Sequence, residues 1–230
     1  MGAANDGGQS PRITNKSQLL DHFSGGAVGP EQFRVGTEYE KIALRATDDA
    51  PLPYRGEPGI ESLFTSLVDG GAWRAVHDGD ALIALRAEDG SSLTLEPGGQ
   101  FEMSGAPFQT IHETVAELRR HEDELDLLSR QQDVQWLWAG AQPVHGVGNI
   151  GWMPKRRYGI MRDYLPTRGD LAHHMMKTTC TVQANLDFSD ERDMGRKFRA
   201  SMGLASTVTA MFANSPLREG RPSGYKSFRA

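Results

Sequence analysis

Cysteine is nearly absent: Cys180 is the only one in 230 residues. No internal disulfide can form, and one thiolate cannot build a metal site by itself. Long apolar runs are missing too. No stretch approaches the roughly 20 residues of a membrane-spanning helix, and the N-terminus has no hydrophobic signal segment. A soluble, cytoplasmic protein without membrane contacts is the expectation. Positive charge is not in excess, since 25 Lys and Arg stand against 30 Asp and Glu, a formal net charge of −5. That balance lacks the electrostatic footprint of a nucleic-acid binder, so small molecules or protein are the expected partners. No internal repeat occurs. What is present is an ordinary globular composition, 38% hydrophobic and 24% charged, sufficient for one domain-sized core.

Residues 1–15 are rich in Gly, Ala, Asn and Ser without periodicity and read as a disordered leader, with one globular domain over 16–230. Phe33, Val35, Thr37 and Tyr39 alternate with Arg34, Gly36, Glu38 and Glu40, the period of a strand that puts Glu38 and Glu40 on one face. Ile60, Leu63, Phe64, Leu67 and Val68 keep helical spacing up to Gly70 and Gly71. Extended runs near 73–77, 81–87, 91–96 and 100–104 predict an antiparallel meander. Phe108, Ile111, Val115, Leu118, Leu125 and Leu128 predict a long helix across that sheet, followed by a strand near 134–139. A Gly-rich, basic loop, a short helix near 171–176 and a strand over 178–188 come next. In that strand Thr181, Gln183, Asn185 and Asp187 share a polar face. Cys180, Val182, Ala184, Leu186 and Phe188 share the face assigned to the core. Ser189 is the expected cap of a last helix whose apolar side carries Met194, Phe198, Met202, Ala205, Val208 and Phe212. Strands and helices without βαβ alternation give an α+β fold.

Four carboxylates draw the chemistry. Glu38 and Glu40 project together, and the turn Glu96-Pro97-Gly98-Gly99-Gln100-Phe101-Glu102 brings Glu96 toward Glu102. Clustered acids repel unless a cation separates them, and oxygen-only ligands suit Mg²⁺. Spacing alone equally describes a solvated acidic strand face. The segment Pro154–Arg162 gathers Lys155, Arg156, Arg157 and Arg162, groups able to grip carboxylate or phosphate, and spacing does not say which of them faces a site. Gly146-Val147-Gly148-Asn149-Ile150-Gly151 matches the dinucleotide fingerprint in form but runs into Trp152-Met153-Pro154 instead of a helix start, and is rejected. His173 and His174 are adjacent and cannot ligate one metal from a helix in the i, i+4 manner, and Cys180 reads as a buried structural thiol.

Five strings in order carry a resemblance. They are Val35-Gly36-Thr37-Glu38-Tyr39-Glu40-Lys41, Leu95 through Gly105, Tyr158-Gly159-Ile160-Met161-Arg162-Asp163-Tyr164, Thr179 through Phe188, and Ala213-Asn214-Ser215-Pro216 continuing to Gly224-Tyr225-Lys226-Ser227-Phe228-Arg229. Together they resemble the plant and proteobacterial glutamate-cysteine ligases, family 2. The resemblance implies a curved antiparallel sheet flanked by helices, half of a glutamine-synthetase-like catalytic domain. It implies ATP- and Mg²⁺-dependent ligation of the γ-carboxylate of glutamate to the amine of cysteine through a γ-glutamyl phosphate, the first step of glutathione biosynthesis. By the same resemblance Glu38, Glu40, Glu96 and Glu102 would hold Mg²⁺, Arg162 and Arg229 would act on and bind substrate carboxylates, Thr181 would contact substrate, and Gln183 and Asn185 would line the nucleotide pocket. Family members are considerably longer, so the chain is expected to be an amino-terminal half whose partner is a complementing carboxy-terminal half. An inactive relic or regulatory binding module, and a related carboxylate-amine ligase with another acceptor, stay open.

Overall fold

The computed structural model describes residues 12–229. Of the leader expected over 1–15, residues 1–11 lie outside that range. Asn15 is the N-cap of helix α1 (Lys16–Ser24), its side chain accepting from the Gln18 amide in a capping box.

Strand β1 (Val35–Arg45) is the axis of the molecule. After it come α2 (Ile60–Asp69), β2 (Arg74–Asp78), β3 (Ala81–Arg86), β4 (Ser92–Leu95), β5 (Gln100–Ser104), α3 (Ile111–Gln132) and β6 (Val134–Leu137). These boundaries follow the hydrophobic spacing read from the sequence. The chain then forms α4 (Arg156–Tyr164), α5 (Ala172–Thr178), β7 (Val182–Leu186), α6 (Glu191–Met211) and a small hairpin of β8 (Leu217–Arg218) and β9 (Arg221–Pro222). The main sheet runs β2-β3-β4-β5-β1, all antiparallel, and the second side of β1 is divided between β7 at its start and β6 at its end. The α+β expectation holds, with an open sheet flanked by helices.

The pleat separates two faces. Leu85, Leu93, Leu95 and Phe101 point to one side and, with Leu63 and Phe64 of α2, form a core from which solvent is fully excluded. Phe101 meets Phe64 and Trp136 edge-on, each at 5.1 Å between ring centres. A charged side chain is buried in this layer: Lys41, 0% exposed, donates to Nε2 of His121 on α3, and its ammonium sits 5.2 Å from the Trp138 ring. Burial pushes His121 down to about 4 and Lys41 to about 7. The imidazole is therefore neutral at physiological pH and free to accept.

Four sequence expectations need correction here. The inward stripe of α3 is Thr114, Glu117, His121, Leu125 and Leu128, whereas Ile111 and Val115 face solvent. Polar partners rotated the helix: Glu117 accepts from the Ala106 amide at 2.8 Å and His121 meets Lys41. The basic segment expected as a loop is helical over Arg156–Tyr164, anchored where the Arg156 amide donates to Asp78. The last long helix is capped by Asp190, not Ser189, with the carboxylate accepting from the Asp193 amide at 2.7 Å. Finally, the apolar faces of β7 and α6 are not core: all five residues of β7 are exposed, and the only buried residue of α6 is Asp193.

Candidate active site

The face of the sheet opposite the core is polar because of strand register. Glu40 on β1 stands directly opposite Glu102 on β5, and Glu102 opposite Thr94 on β4. One step along, Glu38 faces Ser104 on one side and Gln183 of β7 on the other. The result is two parallel polar rows running from β4 to β7.

Neutral donors order these acids. Thr181 gives Glu40 both its amide (2.8 Å) and its hydroxyl (2.9 Å), and Gln183 donates to the Thr181 hydroxyl at 2.9 Å. Asn185 donates to Glu38 at 3.0 Å. Glu102 accepts from Thr94 at 3.2 Å and from Ser104 at 2.9 Å. Burial raises the proton affinity of Glu40, with the charge of Glu102 adding to it and the Thr181 bonds opposing it. Glu96 goes further, to about 7, through burial and then through the charges of Glu102 and Glu40.

The turn that carries Glu96 is held by backbone geometry. The Glu96 amide donates to the Gln100 carbonyl at 2.9 Å, and Gly99 adopts a φ of 87°, open to glycine without strain. Gly98 lies against the next layer: a Cβ there would fall 2.2 Å from the Lys177 carbonyl oxygen. The Gln100 side chain fastens the turn to the segment entering β7, donating to the carbonyls of Met176 (3.1 Å) and Thr179 (2.8 Å). A change in the turn is thus carried to Thr181, and from there to Glu40.

Cations border the acids. Lys155 donates to the Leu95 carbonyl at 2.7 Å, a bond that Tyr158 duplicates, and burial with the neighbouring Arg157 lowers the ammonium to about 8 while Glu96 and Glu102 counter. Arg157 also extends its charge to Glu96 and Glu102. Neither cation could be singled out from the basic segment by sequence alone. The contacts of Lys155 and Tyr158 with the Leu95 carbonyl, and of Arg157 with the Tyr158 hydroxyl, make the choice. Arg229 reaches Glu40 by its charge, and its amide donates to the Ser215 hydroxyl at 3.1 Å. Arg162 stands differently: it pairs with its neighbour Asp163 at 2.9 Å and lines a cleft of about 300 Å³ with Trp152, Lys155, Arg156 and Tyr158.

The structure therefore gathers Glu38, Glu40, Glu96, Glu102, Thr181, Gln183, Asn185 and Arg229 along one sheet face and leaves Arg162 on α4 beside the cleft. The donor set suits a hard divalent cation in chemistry, being all oxygen and mutually repulsive. Among the described residues, however, no three His, Cys, Asp or Glu side chains converge as a ligating group in their present positions. Cys180 is buried and its thiol is raised by burial, so it is an inert core group and not a nucleophile.

This fold and site define an α+β domain with an ordered acidic strand face bordered by Lys and Arg. Residues 34–230 match the family described as glutamate-cysteine ligase family 2, and the chain belongs to that family. It is similar to the chloroplastic glutamate-cysteine ligases of Nicotiana tabacum, 43% identical over 215 residues, and of Arabidopsis thaliana, 41% identical over 215 residues. In both comparisons 94% of this chain is covered but only 40% of the relative. The chain thus spans about 40% of the length of the curated relatives it matches. The expected cytoplasmic location is corrected by the same comparison, because these relatives are named as chloroplastic proteins and a missing apolar leader assigns no compartment. No described helix is long and apolar enough to cross a membrane.

Proposed function

We propose that this chain supplies the acidic wall of an ATP- and Mg²⁺-dependent ligase site that joins the γ-carboxylate of L-glutamate to the amine of L-cysteine through a γ-glutamyl phosphate, as the opening step of glutathione biosynthesis. The observation that carries the reading is the register placing Glu40 opposite Glu102 with Glu96 close by, in a chain that belongs to this ligase family.

Bringing a phosphoryl group to a carboxylate sets two anions together, and a bound Mg²⁺ supplies the neutralisation and in-line orientation that step requires. Glu38, Glu40, Glu96 and Glu102 are the oxygen donors that would hold it. Thr181 and Asn185 fix the rotamers of Glu40 and Glu38, so those carboxylates are ordered before a ligand arrives. Gln183 steadies the Thr181 hydroxyl and, with Asn185, faces the space a nucleotide would enter. Lys155, at the cap of α4, and Arg157, in its first turn, balance the acids. Arg229, next to Glu40, and Arg162, beside the cleft, are the guanidinium groups offered to substrate carboxylates.

A coupled assay of ADP release tests this reading. Because the chain spans only part of its relatives, cysteine-dependent ADP release is expected when the remaining portion of the ligase fold is supplied with it, and Mg²⁺-ATP binding without turnover when it is not. Cysteine-independent ATP hydrolysis in the combined sample would contradict the assignment as a glutamate-cysteine ligase.

A further inference from the structure

Residues 223–229 form no helix or strand, so Arg229 depends on contacts with other segments for its place. The Phe228 amide donates to the Ser215 carbonyl at 2.8 Å and the Arg229 amide to the Ser215 hydroxyl at 3.1 Å. Ser215 is buried, and its hydroxyl lies 3.0 Å from that of Ser227. Arg218 of β8 adds a side-chain contact to this backbone pairing. Its guanidinium sits 4.9 Å from the centre of the Phe228 ring and donates to Nε2 of His174 on α5 at 2.9 Å. A guanidinium is a donor only, so the bond requires a lone pair on Nε2, and the imidazole is neutral with its proton on Nδ1. Glu219 meets the same guanidinium more loosely, at 3.9 Å. Helix α5 is tied in turn to the start of the Ser215 segment. The Cys180 amide, two residues past the helix, donates to the Gly140 carbonyl at 3.0 Å, and the Gly140 amide donates to the Asn214 carbonyl at 2.9 Å. The bond from Arg218 to His174 therefore closes a ring of contacts around the segment that carries Arg229.

We propose that His174 is a positioning residue for Arg229: by accepting from Arg218 it holds that guanidinium over Phe228, and so fixes where Arg229 stands against the acidic face. The use of Arg229 on a substrate carboxylate rests on the functional reading above, whereas its placement does not. The titratable and charged groups around His174 are Arg218 and Glu219 of the hairpin, His173 of its own helix, and His145, which lines the same small cavity. Burial, and then the charge of Arg218, hold the imidazole below its ordinary value of 6.5. Protonation would take the lone pair and set two cations together. The clamp is thus complete above pH 6.5 and is lost as pH falls through the lowered value.

Amide exchange of Phe228 and Arg229, corrected for the intrinsic rate and read in the whole chain at pH 7.5 and 5.0, tests the placement. The parent is expected to lose at least tenfold in protection at the lower pH. His174→Gln offers an acceptor oxygen that does not titrate, so its protection is expected to match the parent at pH 7.5 and to stay there at pH 5.0. His174→Leu has no acceptor and is expected to be at least tenfold less protected at both values, as is Arg218→Leu, with no further loss when the two are combined. Amides of β3 and β5 serve as the control for global loosening. If that control moves in the Leu variants, the parent and His174→Gln profiles decide alone. Parent-like protection in His174→Leu with the control unmoved, a parent profile indifferent to pH, or a parent-like loss in His174→Gln would each overturn the proposal. Titration of the same samples with L-glutamate in the presence of Mg²⁺-ATP separates the two readings. Affinity lowered in His174→Leu and restored in His174→Gln joins the placement to the substrate, and protection that behaves as predicted while L-glutamate affinity is indifferent defeats only the role given to Arg229.

Discussion

Glu96 is the residue on which pH acts first. Its proton affinity is raised to about 7 from the ordinary 4.5 by burial and by Glu102 and Glu40. Between those limits the folded chain holds a proton that the unfolded chain has released, so this group's contribution is fully favourable below pH 4.5 and is lost as pH rises through 7. A bound divalent cation reverses the balance, because it favours the ionised carboxylate. Mg²⁺ affinity is therefore expected to fall as pH drops from 8 to 6, and Glu96→Gln is expected to flatten that dependence. Titrations at the two pH values read the effect, and a wild-type affinity unchanged between them would remove Glu96 from the cation site.

Elements rather than single residues decide what was legible beforehand. The spacing in α2 and the alternation in β1 through β5 predicted those elements because each packs against a core the chain itself supplies. Glu38 and Glu40 were legible as neighbours because alternation along a strand fixes which side chains share a face, and Glu96 and Glu102 because they flank the Pro97-Gly98-Gly99 turn. Which cation meets them was not, since Lys155 and Arg157 are selected by the docking of α4 on the Leu95 carbonyl, a tertiary contact without a local signal. The polar inward stripe of α3 escaped detection because periodicity assumes apolar burial, and Lys41 with His121 breaks that assumption. The turn after β4 offers a sharper test of the element account. Gly98→Ala places a Cβ against the Lys177 carbonyl, and overpacking of that kind costs on the order of 1–3 kcal/mol. Denaturant unfolding is expected to register that loss, with Mg²⁺ binding weakened as the turn is displaced; a variant as stable as the parent would mean that the two layers are not pressed together there.

At the scale of the whole molecule the chain has two unlike sides. One is a finished hydrophobic core in which α2 and α3 cover the sheet. The other is an ordered but uncovered polar face, continued by apolar surface on β7 and α6 that finds no partner among the described residues. Isothermal titration with ATP, with and without Mg²⁺, compares the parent chain with Glu40→Gln and Glu102→Gln most directly. Mg²⁺-dependent heat in the parent, weakened tenfold or more in each variant, is the predicted result. Binding that is indifferent to Mg²⁺, or undiminished when the facing pair Glu40 and Glu102 is neutralised, would contradict the acidic sheet face as the seat of the chemistry.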